Sequence, residues 1–189
     1  MPRQVIVHVF RHGKATGGEK NAELTPEGVE QARKAGWKLL KFLPKKAIIK
    51  FYNSPIRRAQ QTRKLIEAIV REKRPALEAR ERYTLAYLKP LAGGVLAEKA
   101  KAEAMKDYRK TLIEFPKRLS ERTSGRRSIH LIVVSHAGPP ALTGFLEQLT
   151  GKPIEKLGGN LENCERFTLE FKPRKEPVLR FREHKMRVH

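Results

Sequence analysis

The chain reads as an α/β protein of the three-layer α/β/α kind, with a mostly parallel central sheet and an antiparallel edge. Three observations predict this. Short apolar runs rich in Val, Ile and Phe alternate with stretches of helical periodicity. The run Ile129-His130-Leu131-Ile132-Val133-Val134 is almost continuously apolar, the pattern of a strand buried on both faces of a parallel sheet. Two final runs, 167–171 and 178–181, stand close enough in sequence to form a hairpin, and a hairpin is antiparallel.

The elements follow in order. Val5-Ile6-Val7-His8-Val9-Phe10 is the first strand, and Arg11-His12-Gly13 ends it. Thr25 caps the first helix with Pro26 at its first position, and Pro44 lies beyond its end. Ala32, Trp37, Leu40 and Phe42 are read as part of its inner face. Residues 47–53 form a second strand that runs into Ser54-Pro55. Ser54 is read as the cap, and Pro55 as the first residue, of a helix reaching Arg71. Its inner positions are Ala59, Thr62, Leu65, Ile66 and Ile69. A short third strand is read over 76–80. A largely helical stretch follows over 97–121, bent or broken by Pro116. The fourth strand ends at Ser135-His136, a helix spans about 140–149, and the hairpin closes the chain. The whole of 1–189 is read as one domain.

Composition narrows the function. The formal charge is +21, from 41 Lys and Arg against 20 Asp and Glu. Such an excess attracts anions. The cations read as a scattered, solvated surface spread over 34–46, 71–74, 126–127 and 174–187, with no aromatic-interleaved stripe and no specific nucleic-acid motif. No run reaches membrane-spanning length, the first apolar run is too short for a signal peptide, and Cys164 is the only cysteine. The expected setting is cytoplasmic, with no membrane partner. Many Lys and Glu with few Asn, Met and Cys point to a thermophilic source.

Asp107 is the only aspartate, and it reads as a mid-helix surface ion pair among Lys106, Arg109 and Lys110, which excludes an Asp nucleophile at a strand end and argues against the carboxylate-rich sites typical of metal-dependent phosphatases. No Cys-x5-Arg loop occurs, because Glu170 stands six positions after Cys164. No phosphate-binding G-x-x-x-x-G-K-[ST] loop occurs either, because Pro153 follows Gly151-Lys152. Histidine is the best nucleophile available.

Three strand ends carry cationic or imidazole side chains: Arg11-His12 after the first strand, Arg57-Arg58 after the second, and His136 after the fourth. Ligands in open α/β sheets bind outside the carboxyl ends of the strands. Arginines in the first turn of a helix oppose its dipole unless an anion binds there. Together these groups suit one dianionic ligand.

Four segments occur in one order: Arg11-His12-Gly13, Leu24-Thr25-Pro26-Glu27-Gly28, Ser54 through Thr62, and Ser135-His136-Ala137-Gly138. In this the chain resembles the histidine phosphatase superfamily, the phosphoglycerate mutase-like fold, and within it the compact phosphatases. The resemblance implies that His12 is phosphorylated during turnover and that Arg11, Arg58 and His136 bind the phosphoryl group, with Ala137 beside them in the substrate-binding set. Arg57 falls at a variable position of the motif. The resemblance also implies that the proton donor sits after the third strand. Glu81 is preferred to Glu78 because it lies past the read strand end. Its flanking Arg80 and Arg82 would lower its pKa, and a phosphohistidine substrate needs less help from an acid.

The expected chemistry is metal-independent and cofactor-free hydrolysis of a small phosphomonoester or of a phosphohistidine on a protein. The alternatives are a phosphoglycerate-type mutase and a noncatalytic anion- or nucleic-acid-binding module. His8 and His130 are read as core histidines. His184 and His189 are placed in a basic tail without a partner. Lys14, Thr16 and Lys20 are assigned to a solvated glycine loop, where Gly13 lets the chain turn and the ligand approach.

Overall fold

A computed structural model describes residues 3–19, 21–75, 105–136 and 142–188, and the backbone of 78–84. Its sheet has seven strands: β1 (Val5–Arg11), β2 (Ile48–Asn53), β3 (Glu78–Thr84), β4 (Ile129–Ser135), β5 (Arg166–Phe171), β6 (Val178–Phe181) and β7 (His184–Arg187). Their order across the sheet is β3-β2-β4-β1-β5-β6-β7. The first four are mutually parallel and the last three add antiparallel. Helices among the described residues include α1 (Pro26–Leu40), α2 (Arg57–Lys73), α3 (Phe115–Arg122) and α4 (Leu142–Thr150).

Alternation along the strands splits the core in two. Val5, Val7 and Val9 of β1 and Ile129, Leu131 and Val133 of β4 face Leu142, Phe145 and Leu146 of α4. Phe10, Ile132 and Val134 face the opposite way, toward Ala35 and Leu39 of α1 and Ala59 and Ile66 of α2. A strand has a period of two, so one apolar run serves both layers. That is the expected α/β/α arrangement.

Four readings change in detail. The antiparallel edge has three strands, because 184–187 pairs with 178–181 instead of trailing as a tail; His184 lies opposite Phe181. β3 runs on through Thr84, with a register shift between Lys50 and Tyr52, so Glu81 lies inside the strand and not past its end. The β-branched and aromatic cues read for strands are sparse in Glu78–Thr84, which hid its length.

The inner face of α1 is Gly28, Ala32, Ala35, Gly36 and Leu39, while Trp37 and Phe42 are exposed. The cause is close approach to α2: a Cβ on Gly36 would lie 3.0 Å from the Ile69 Cβ, so the seam takes small residues and the large rings turn outward. On α2, Arg63, Glu67 and Val70 are buried, whereas Leu65 and Ile69 are only partly so. Arg63 and Glu67 neutralise each other as an i,i+4 pair, which lets charged residues occupy core-facing positions.

Pro116 acts as read. The turn Lys110–Glu114 before it is π-helical, with the Phe115 N–H donating to the Lys110 carbonyl. A proline ring clashes with the carbonyl four residues back, and widening the turn relieves that clash.

Candidate active site

The register brings three strand ends to one level. Val134 of β4 lies opposite Phe10 of β1 on one side and Asn53 of β2 on the other. The three peptides that follow are tied together by the backbone: the His12 N–H donates to the Ser135 carbonyl (2.9 Å) and the Ser54 N–H to the Val134 carbonyl (2.9 Å). Arg11, His12, Arg58 and His136 are thereby delivered to one place.

Ser54 is not at the cap position of α2: the helix begins three residues later, and the Ser54 N–H still belongs to the sheet. The helix starts at Arg57, and its cap position is Ile56 in extended conformation, whose apolar side chain offers no cap. Arg57 turns to the surface and pairs with Glu23. Arg58 turns inward: its Nε donates to His12 Nε2 (2.9 Å) and its Nη1 to the Glu19 carbonyl (2.6 Å).

His12 is buried, and its Nδ1 lies 2.7 Å from the Gly13 carbonyl. A carbonyl only accepts, so Nδ1 carries the proton and Nε2 holds the lone pair that Arg58 meets. Burial lowers the His12 pKa most; the Gly13 carbonyl opposes this, and the positive Arg58 and Arg11 add to it. The result is about 4. The ring is therefore neutral at physiological pH, as a nitrogen nucleophile must be.

Burial and Arg58 likewise lower His136 to about 4, and neither of its ring nitrogens has a partner among the described residues. Arg11 donates through Nη1 to the Leu161 carbonyl (2.5 Å), while its buried Nε has no described partner. Burial holds both arginines below their usual pKa. They still stay charged at neutral pH. Each unpaired buried polar atom costs roughly 1–3 kcal/mol. A tetrahedral oxyanion beside His12 Nε2 would relieve that cost.

Glycine is needed at Gly13 for a reason other than the one read from sequence. A Cβ there would lie 2.5 Å from the Gly28 carbonyl oxygen, and a Cβ on Gly28 would lie 2.0 Å from the Lys14 carbonyl oxygen. The loop of His12, Gly13 and Lys14 rests directly on the first turn of α1. Thr25 joins them: its hydroxyl accepts from the Gly28 N–H (3.1 Å), and its own N–H donates to the Lys14 carbonyl (3.0 Å). Lys14 pairs with Glu27, and Thr16 bonds the Glu23 carbonyl through its N–H.

Three contributors escaped sequence reasoning. The Thr62 hydroxyl accepts from the Gly13 N–H (3.0 Å) and donates to the Arg58 carbonyl (2.8 Å), linking the loop after His12 to Arg58. The sequence marks it as an inner helical position and as the last residue of the Ser54–Thr62 segment, but not what it bonds. Buried Tyr108 shares a hydrogen bond with the Ser135 hydroxyl (2.9 Å), beside His136. The Leu161 carbonyl comes from a loop with no motif. Ala137 lies outside the described residues, as do Lys20, His189 and the side chain of Glu81. His8 and His130 are core residues as read, joined to each other at 2.9 Å.

Comparison with known proteins matches residues 7–184 to the model of the histidine phosphatase superfamily, branch 1. Similar solved structures include a phosphoglycerate mutase from Plasmodium falciparum (20% identity, 96% of this chain and 91% of that one, TM-score 0.59). The protein histidine phosphatase SixA complexed with tungstate is 17% identical over 96% of each chain, with a TM-score of 0.56. A mycobacterial glucosyl-3-phosphoglycerate phosphatase is 19% identical over 89% of this chain and 91% of its own, with a TM-score of 0.56. No curated protein matches the sequence.

Proposed function

We propose that this chain, which belongs to the histidine phosphatase superfamily, is a metal-independent phosphatase. It hydrolyses phosphomonoesters, or a phosphohistidine on a protein, through a phosphohistidine on His12. The observation that carries this reading is the state of the His12 ring: neutral, its Nδ1 proton held by the Gly13 carbonyl, its Nε2 lone pair facing Arg58.

Phosphoryl transfer asks for positioning and for fixed positive charge around three equatorial oxygens. Arg11 and Arg58 supply forked donors, and His136 supplies one more. As the phosphoryl group enters, Arg58 Nε transfers its hydrogen bond from His12 Nε2 to a phosphate oxygen, which frees the lone pair. Nε2 then forms a bond to phosphorus as the bond from phosphorus to the leaving oxygen or nitrogen breaks. The leaving group takes a proton, which we assign to Glu81. Water next attacks phosphorus and gives a proton to the Glu81 carboxylate, the N–P bond breaks, and its electron pair returns to Nε2. The guanidiniums offset the charge that a metal ion would otherwise balance.

A substrate panel tests the proposal: a chromogenic ester, sugar phosphates, nucleotides and a phosphohistidine protein, each with and without chelator. Turnover unaffected by chelator supports the scheme, and turnover abolished by chelator refutes it. Transfer of the phosphoryl group to a second substrate hydroxyl instead of water would make the protein a mutase.

A further inference from the structure

The exposure of Trp37 and Phe42 turns the lysine-rich part of α1 into something more specific than a solvated basic surface. Between Gln31 and Ile66 the chain has eleven Lys and Arg and no Asp or Glu. The whole chain, by contrast, has one acid for about every two bases, 20 against 41. On the outer side of α1 and the turn after it, Lys34, Lys38, Lys41, Lys45 and Lys46 are all exposed. Trp37 is 48% exposed and Phe42 55% exposed among them. Lone exposed rings need no explanation, but two large rings carried among the cations of an acid-free stretch of chain do.

The rings are also held in place. Lys73 from α2 sits 5.1 Å from the Trp37 ring centroid, and the Arg166 guanidinium sits 3.9 Å from that of Phe42. A cation over one face fixes the orientation of a ring and leaves its other face available as a flat platform. The carboxylates closest in sequence are engaged: Glu30 pairs with Lys34, Glu67 with Arg63 and Arg71, and Glu72 with Lys73.

We infer that this surface, formed by the outer side of α1, the Lys41–Lys46 turn and the end of α2, binds single-stranded nucleic acid without sequence preference, its lysines on the phosphates and Trp37 and Phe42 stacked on bases. Stacking platforms set in a basic track are what a flexible strand with exposed bases requires. An anionic membrane is the weaker match. An interfacial helix needs a continuous apolar face, and that of α1 is built from Gly28, Ala32, Ala35, Gly36 and Leu39 and is buried against the protein. The surface is separate from the residues around His12, so the inference does not depend on the phosphatase reading.

The test uses Trp37, the only tryptophan in the chain, as its own reporter. The full-length protein is titrated with a fluorescein-labelled oligouridylate, following anisotropy and, with unlabelled strand, tryptophan emission. The expected result is quenching of Trp37 over the concentration range in which anisotropy rises. Affinity should fall as salt rises. Trp37→Ala or Phe42→Ala should weaken binding on the order of tenfold. Lys38→Gln, Lys41→Gln and Lys45→Gln combined should flatten the log–log salt slope by about 2, at roughly 0.7 per phosphate contact. All these exposed variants should keep wild-type turnover. Absence of quenching, equal affinity in the variants, tighter binding of a duplex of the same length, or partition onto phosphatidylglycerol vesicles with no binding of the oligonucleotide would each overturn the inference.

Discussion

Gly28→Ala should damage catalysis through a backbone that carries no catalytic side chain. Gly28 stands at the third position of α1, where alanine would by itself stabilise a helix by about 1 kcal/mol. The added Cβ would lie 2.0 Å from the Lys14 carbonyl oxygen and 2.9 Å from its carbon and nitrogen. The first of these is about 1 Å inside a tolerable contact, and neither partner is a flexible side-chain tip. The Lys14 loop and the start of α1 must therefore separate by about that much. Overpacking of this kind costs roughly 1–3 kcal/mol, more than the helix propensity returns. The separation also strains the hydrogen bond from the Thr25 N–H to the Lys14 carbonyl and shifts Gly13, whose carbonyl holds His12 Nδ1. A misplacement near 1 Å at a reacting group can lower kcat on the order of 100-fold. Steady-state kinetics and a thermal melt measure both effects. Gly17→Ala is the control, because a Cβ there meets nothing within 4 Å. A Gly28→Ala enzyme with wild-type kcat and unchanged Tm would refute the coupling of α1 to the nucleophile.

Thr62→Val keeps the side-chain volume but leaves the Gly13 N–H without its acceptor. It should cost about 1–3 kcal/mol in a denaturant melt and lower kcat more than it raises KM. Arg58→Ala should remove roughly 2–4 kcal/mol of transition-state stabilisation, read as a drop in kcat/KM of between thirtyfold and a thousandfold. Stability should fall in acid. His12, His130 and His136 titrate at about 4 in the folded protein against 6.5 unfolded, so between those values the unfolded chain holds more protons. Stability is then complete above pH 6.5 and is lost as pH falls toward 4, by about 1.4 kcal/mol per pH unit per histidine at most. Tm measured from pH 7.5 to 4.5 should show this, and saturating phosphate should reduce the loss, because a bound anion favours protonated His12 and His136.

The sheet and its site were largely legible because hydrophobic alternation and strand-end motifs are local signals. Arg11, His12, Arg58 and His136 could be brought together on paper once three strands were read as parallel neighbours, and the register places them so. The harder features were set by contacts between distant segments. Trp37 and Phe42 looked like core residues, yet α1 packs so closely on α2 that Gly36 and Ala32 take the seam. Ser54 reads as a helix cap, yet the sheet extends to its N–H and the helix starts only at Arg57, with Ile56 at the cap position. The length of β3 was hidden by a charged sequence, which also undid the positional reason for choosing Glu81. Thr62, Tyr108 and the Leu161 carbonyl act by partners that spacing does not reveal.

The central claim is a covalent phosphoryl group on His12. Rapid acid-free denaturation of the protein during turnover of a labelled phosphomonoester, followed by exposure of the trapped species to acid and to alkali, tests it directly. The expected result is one label per chain that survives alkali and is released by acid, as a phosphoramidate is, and that is absent from His12→Ala. Label stable in acid, or a His12→Ala protein that retains near-normal turnover, would contradict it.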